Sequence, residues 1–361
     1  MNGIYVVIFG PNIQNSGGIG TLFSYFKQAS TQTNRVAFID TRGLAENPLT
    51  SLGALLRAMI QAAKLKFNRR IDLAHVNFGA NGSAFRKTVL VIWLKIFLHV
   101  PTIMHLHASS FDTWFDSEPK VVKKIVIAAL NLSDRVLVLG EIWRNMLETR
   151  GVRAGKIQTF IMGVPDLGKS SQISRSEVDN IRIVFAGEMG TRKGLPQLIV
   201  AMGSPEAEGL TLTVAGKGDI AKWTNYATRE NAASKIHFAG HVSSNVIHDL
   251  LSKSDILILP SQAEGMPVSI MEGLSSGVLV ITSSAGAVTE YLTDEEDCLI
   301  LRSVSPADIL RSLKMARELE TRQTLSSAGR LTWSRRFDAE KTSAQLLSIW
   351  DDVSKVENKR R

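Results

Sequence analysis

The sequence has one cysteine, Cys298, in 361 residues, so no intramolecular disulfide can form. One Cys and seven scattered His residues build no structural zinc site. Long apolar runs are missing as well. The most apolar stretch, residues 89–98, is about ten residues long and is broken by Lys95, whereas a membrane span needs about twenty. No transmembrane helix is therefore expected. The N-terminus has neither the basic region nor the cleavage site of a signal peptide, and Gly3 to Gly10 reads as a buried first strand. No basic motif interleaved with aromatics of the RNA-binding kind is present, which argues against nucleic acid as a partner.

What is present is the composition of an ordinary globular protein, 44% hydrophobic and 21% charged. At roughly 150 residues per domain the length suggests two domains. The net charge of +8 is uneven: residues 1–165 carry 19 Lys and Arg against 9 Asp and Glu, and the remainder 23 against 25. A basic N-terminal half suits an anionic partner, either a phosphate-bearing acceptor or a membrane surface.

Short apolar runs alternate with helix-period segments, the βαβ pattern of a parallel sheet. Six strands are expected in the N-terminal half, at 5–9, 35–39, 73–77, 102–107, 135–139 and 157–160, with helices near 20–30, 49–67, 84–99 and 120–130. In the helix at 49–67, Leu52, Leu55, Leu56, Met59, Ile60 and Ala63 fall at helical spacing, and this apolar face is expected to pack on the sheet, the alternative being that the Lys- and Arg-bearing helix lies on an anionic membrane. Residues 166–180, rich in Ser and charge, read as a linker. A second βα series follows, with strands at 181–186, 211–215, 236–239, 256–260, 279–282 and 299–301. Its helices lie near 194–202, 220–228, 246–252, 267–276 and 306–319, and a last helix spans about 339–356. The expected organisation is α/β: an N-terminal Rossmann-like domain at 1–165, a C-terminal one at 166–335, and a C-terminal helix at 336–361 packing back toward the first. Two such halves place a ligand cleft between the carboxyl ends of two sheets.

The segment with the clearest chemistry runs from Leu259 to Glu272. A strand ends, a turn holds Glu264 and Gly265, and a helix starts near Pro267, a residue tolerated in the first helical turn. Free N–H groups at such a start form a natural diphosphate site, which Gly265 lets a ligand approach closely. Glu272 lies inside the helix, within reach of sugar hydroxyls. Taken alone, the pair reads more readily as two surface acids around a helix start.

Ser261…Glu264-Gly265-Met266-Pro267…Glu272 resembles the donor motif of family 4 retaining glycosyltransferases, which have the two-Rossmann-domain GT-B fold. Further landmarks occur in the matching order: Gly17-Gly18-Ile19-Gly20, Met104 to Phe111, Phe185 to Glu188 with Arg192-Lys193-Gly194, Val214 to Gly218, Phe238 to Val242, and Ala285 to Glu290. The resemblance implies roles residue by residue. Lys193 contacts the donor diphosphate. Its usual cationic partner falls at Glu188, a departure for which Arg192 could compensate. Glu272 holds ribose hydroxyls, and Glu264 sits at the transferred sugar. The backbone of Gly265, Met266, Pro267 and Val268 holds donor hydroxyls and phosphate, while the main chain of Val242 reads the base. Gly18 approaches the diphosphate, and His107 stands beside the sugar. His105 is expected to face away from His107 and to be structural. Ala108 replaces the family's usual Gly. Ser109 and Asp112 are acceptor-side candidates.

No metal or other cofactor is required by the resemblance, and no Asp-x-Asp pair occurs in the chain. The implied activity is retaining transfer from a nucleotide-diphosphate sugar to a saccharide or lipid-linked saccharide. The implied setting is bacterial surface-polysaccharide assembly, in the cytoplasm or on the inner face of the plasma membrane. An epimerase, a phosphorylase or a non-catalytic protein with the same fold are the alternatives.

Overall fold

The computed structural model describes residues 4–10, 17–29, 35–41, 48–107, 109–168 and 181–358. The chain divides into two compact units, Met1–Met162 with Ala339–Arg361, and Gly163–Asp338. The crossings fall at 162/163 and 338/339 rather than at 165/166 and 335/336. The reason is local: Val164 forms a β-bridge with Asp338, and its N–H donates to Phe337 O at 2.8 Å, which ties 164 and 337 into the second unit. Of the expected linker, 169–180 lies outside the described residues.

The first unit runs β1 (Val6–Gly10), α1 (Gly17–Ala29), β2 (Val36–Asp40), α2 (Pro48–Phe67), β3 (Leu73–Phe78), α3 (Asn81–Ile96) and β4 (Thr102–Leu106). It continues with α4 (Phe111–Ser117), α5 (Lys120–Leu132), β5 (Arg135–Val138), α6 (Glu141–Thr149) and β6 (Ile157–Thr159). The strands form one parallel sheet in the order β2-β1-β3-β4-β5-β6. Strands β1, β3 and β4 are buried along their whole length, as sheets covered on both faces require. Right-handed crossovers place α2, α3 and α5 on one face, with α3 packed against both of the others, and α1 on the opposite face.

The second unit runs β7 (Ile181–Ala186), α7 (Leu195–Gly203), β8 (Leu210–Ala215), α8 (Ile220–Arg229), β9 (Ile236–Gly240), α9 (Ser244–Ser252) and β10 (Ile256–Leu259). Then come α10 (Val268–Ser276), β11 (Leu279–Ser283), α11 (Val288–Tyr291), β12 (Leu299–Leu301), α12 (Pro306–Met315) and α13 (Leu319–Arg336). Its sheet is also parallel, ordered β12-β11-β10-β7-β8-β9. The last helix, α14 (Ala339–Asn358), returns to the first unit. There it packs on α1, with Trp350 edge-on to Phe26 at 5.2 Å and fully buried.

Four helices were not expected from the sequence. α4, α6 and α11 are too short to show a period. α13 is polar almost throughout, and its buried face includes Arg322, whose guanidinium donates to the carbonyls of Ala316 and Arg317. The stripe on α2 also differs from expectation. Ser51, Ala54, Leu55, Ala58 and Ala62 are its buried residues, whereas Leu52, Leu56 and Ile60 stand 51–56% exposed. Small alanines let α2 lie close to the sheet, and the larger side chains point outward.

Candidate functional site

In the second unit the strand order reverses between β7 and β10, because β8 and β9 lie to one side of β7 and β11 and β12 lie beyond β10. At such a switch point the loops leaving neighbouring strands diverge and open a crevice. The loop after β7 carries Glu188, Arg192 and Lys193, and the loop after β10 carries Ser261 to Pro267. The two are bound together by backbone and side chain. Gln262 N–H donates to Arg192 O at 2.8 Å, and Arg192 Nη1 donates to Ala263 O at 3.1 Å. Lys193 Nζ donates to Glu264 Oε1, an ion pair between two largely buried groups. Arg192 also stands 4.0 Å from the same carboxylate oxygen.

Glu188, the departure from the expected cation, bonds Arg192 Nη2 at 3.3 Å. It therefore tethers the guanidinium that reaches Ala263 and Glu264, while its own side chain stays exposed. Arg192 and Lys193 remain two cations beside one buried carboxylate.

Two glycines make this packing feasible. Gly194 has φ +72°, and a Cβ there would overlap Pro260 O. Gly286 has φ +68°, and a Cβ would overlap the carbonyl oxygens of Glu264 and Gly265. Ala287 N–H donates to Gly265 O at 2.9 Å, so the loop after β11 backs the Glu264–Gly265 turn. Replacing Gly194 by Ala adds left-handed strain of about 1 kcal/mol and forces two loops apart, for an expected loss of about 2–4 kcal/mol in urea unfolding. Gly190 provides the control: its backbone is extended and nothing lies within 4 Å of a Cβ there, so Gly190→Ala should be neutral.

α10 begins at Val268 with Pro267 before it, as the sequence suggests to within one residue. The N–H groups of its first turn have no helical acceptor and point toward the switch point. Glu272 follows one turn later and is buried, with His248 Nε2 of α9 at 3.8 Å from Oε1. His248 was not singled out from the sequence. Met266 is buried, whereas Val242, in the loop leading into α9, is half-exposed. Arg192, Lys193, Glu264 to Val268 and Glu272 thus gather within one unit.

The remaining sequence candidates lie in the first unit. Gly18 is exposed in the first turn of α1, so the glycine-rich stretch starts a helix. His107 follows β4, and its N–H donates to Phe78 O at 3.1 Å. Ser109 and Asp112 are half-buried beside the start of α4, and Ala108 lies outside the described residues. His105 does not face away from His107: their rings lie 3.9 Å apart. Residues i and i+2 of a strand share a face, so alternation places the two together.

That face carries a chain of groups with no precedent in the sequence reading. Trp350 Nε1 of α14 donates to His75 Nδ1 at 3.0 Å, and His75 Nε2 lies 3.3 Å from His105 Nδ1. With Nδ1 of His75 accepting, its proton sits on Nε2 and points at His105. Burial pushes His75 down to about 3 and His107 down to about 4, and it holds His105 well below the usual imidazole range. His107 is thus a neutral imidazole whose Nε2 is buried without a partner. Asn77, beside His105 in the sheet, likewise keeps both side-chain polar atoms buried and unpaired.

No group of three or more His, Cys, Asp or Glu residues arranged to hold a metal occurs among the described residues. Cys298 is buried, which pushes its thiol up and leaves it unreactive.

Residues 168–332 match the sequence model of glycosyl transferases group 1. The chain is 24% identical over 285 residues to an uncharacterised glycosyltransferase of Methanocaldococcus jannaschii, covering 79% of this chain and 76% of that one. It is 23% identical to the amylovoran biosynthesis glycosyltransferase AmsK of Erwinia amylovora, covering 66% and 59% of the two. Among solved structures, Anabaena HepE in complex with UDP superposes with a TM-score of 0.75 at 14% identity, covering 97% of this chain and 100% of that one. The shared architecture is the GT-B fold.

Proposed function

We propose, on the match of residues 168–332 to the glycosyl transferases group 1 model, that the chain moves a sugar, with retention, from a nucleotide-diphosphate sugar to a saccharide or lipid-linked saccharide. The observation that carries this reading is the switch point where Lys193, Arg192 and the start of α10 converge on Glu264. Two cations and a set of free N–H groups suit a diphosphate, and a buried carboxylate beside them suits the sugar attached to it. AmsK and the UDP complex of HepE support the same class of donor and product.

In the proposed reaction the acceptor oxygen bonds to the anomeric carbon on the face from which the diphosphate leaves. The C–O bond to phosphate breaks with its electron pair going to the diphosphate, and the acceptor proton passes to that leaving oxygen. Lys193 and Arg192 stabilise the charge that grows on the diphosphate, with no metal required. Glu264 stabilises the positive charge on the sugar. Glu272, buried one turn inside α10, takes the ribose hydroxyls, and Val242 presents main chain to the base. Neutral His107 orients a sugar hydroxyl as a hydrogen-bonding group rather than as a cation. The proposed setting is surface-polysaccharide assembly at the inner face of the plasma membrane.

A thermal-shift panel of uridine- and guanosine-diphosphate sugars tests the donor. At a hundred times Kd, a true donor should stabilise the protein by about 2.7 kcal/mol. Incubation with the stabilising donor and no acceptor should leave its sugar unchanged. An epimerised nucleotide sugar would refute transfer, and no shift with any donor would favour a non-catalytic role.

A further inference from the structure

Fourteen large apolar side chains stand exposed among the described residues, and nine of them lie on α2, α3 and α5 or at the end of α3. These helices form one layer, with α3 between the other two. On α2, Leu52, Leu56 and Ile60 repeat at four-residue intervals, and Lys64 and Phe67 continue the same stripe. Phe67 is 87% exposed. On α3 the outward stripe begins at Phe85 and ends at Ile96, with Phe97 just beyond, each more than half exposed. On α5, Val121 and Ile125 alternate with Lys120 and Lys124 on the exposed side.

The charge pattern of the layer is one-sided. The three helices contain nine Lys and Arg residues and no Asp or Glu. Lys87 is buried and Lys95 is bonded to Asp134, while the other seven are exposed or half-buried. Four acids border the layer: Glu118 stands half-buried just before α5, and the other three are engaged. Asp72 accepts from Tyr5 N–H, Asp134 accepts from Lys95 and Thr102 N–H, and Asp116 pairs with Arg150.

We infer that the outward face of the α2–α3–α5 layer docks on an anionic lipid bilayer, with its apolar side chains entering the headgroup boundary and its basic side chains meeting lipid phosphates. An apolar stripe flanked by cations is the arrangement that rests in such an interface. A symmetric second copy is the wrong occupant, because a two-fold contact would set this cationic face against itself. Nucleic acid would meet the cations, but the exposed aliphatic side chains Leu52, Leu56 and Ile60 offer it nothing to stack on. This surface lies outside the donor site, so its test is independent of the transferase reading.

The experiment is cosedimentation of the full chain with vesicles of phosphatidylethanolamine and phosphatidylglycerol, and with vesicles of phosphatidylcholine alone. Binding is expected to the first and not the second, and to weaken steeply as salt rises. The Lys64→Gln, Lys120→Gln, Lys124→Gln triple variant should bind on the order of a hundredfold more weakly, since each basic residue near an anionic surface contributes a factor of about five. Ile60→Ser with Phe67→Ser should abolish the fraction that survives high salt. All of these residues are on the surface, so the melting temperature of each variant should match that of the parent. Equal binding to both vesicle types, no binding to either, a dimer dispersed by Phe67→Ser without vesicle binding, or binding to duplex DNA instead of vesicles would each overturn the proposal.

Discussion

Lys193→Ala is expected to abolish donor protection and to reduce sugar transfer about a thousandfold, while also destabilising the second unit. The two effects share one cause. Lys193 bonds Glu264, whose side chain is only 9% exposed. Removing the ammonium leaves a carboxylate in a nearly dry pocket with Arg192 at 4.0 Å as the nearest cation. Breaking a buried pair from one side costs about 3–5 kcal/mol, and the remaining exposure of this pair places it at the low end. Loss of a charge-assisted contact to a diphosphate accounts for the drop in binding and turnover.

A double variant separates the effects. Lys193→Ala with Glu264→Gln removes the unpaired charge, so urea unfolding should return most of the lost stability while transfer stays absent. If Lys193→Ala still gains full thermal protection from the donor, the diphosphate lies elsewhere and the site assignment fails. If the double variant is no more stable than the single one, the pair is not what holds the two loops together.

Acidification should destabilise the first unit by roughly 5 kcal/mol between pH 7 and pH 5. His75, at about 3, His107, at about 4, and His105, well below its ordinary value, remain neutral in the folded unit throughout that window. The same imidazoles take up protons near pH 6.5 once the chain unfolds. The unfolded state therefore binds more protons, and stability falls as pH falls. Each histidine contributes up to about 1.4 kcal/mol per pH unit below 6.5, and three act together. Paired carboxylates contribute mainly below pH 5, and buried Lys87, pushed down to about 7, adds less than about 1 kcal/mol at the upper edge of the window, so the imidazoles dominate it.

A loss of this size is comparable to the whole stability of many domains. Urea unfolding at several pH values, followed by tryptophan fluorescence, gives the slope, and His107 should show no imidazole titration between pH 7 and 5 by NMR. A flat stability profile, or a His107 resonance that titrates near 6.5, would contradict the arrangement. The same neutrality means that transfer should show no limb from His107 titration above pH 5.

Much of this protein was legible in the chain alone. Strand runs such as Ile256–Leu259 and Leu299–Leu301 are continuous apolar segments of a sheet covered on both faces, and short-range sterics suffice to mark them. The turn and helix start from Glu264 to Val268 could be read because Gly and Pro punctuate the backbone locally. The order of landmarks along the chain was enough to indicate two Rossmann-like halves.

Contacts between distant segments were decided only by the tertiary structure. Lys193 and Glu264 are 71 residues apart and meet because β7 and β10 are neighbours in the sheet. Trp350 and His75 are 275 apart and meet because α14 returns to the first unit. Helical period alone could not say which apolar residues of α2 face inward. Ala54, Ala58 and Ala62 fit the close approach to the sheet, and Leu52, Leu56 and Ile60 were left to solvent. Local sequence sets backbone preference and spacing, whereas burial, pairing and the charge state of a buried imidazole depend on which distant segments pack together.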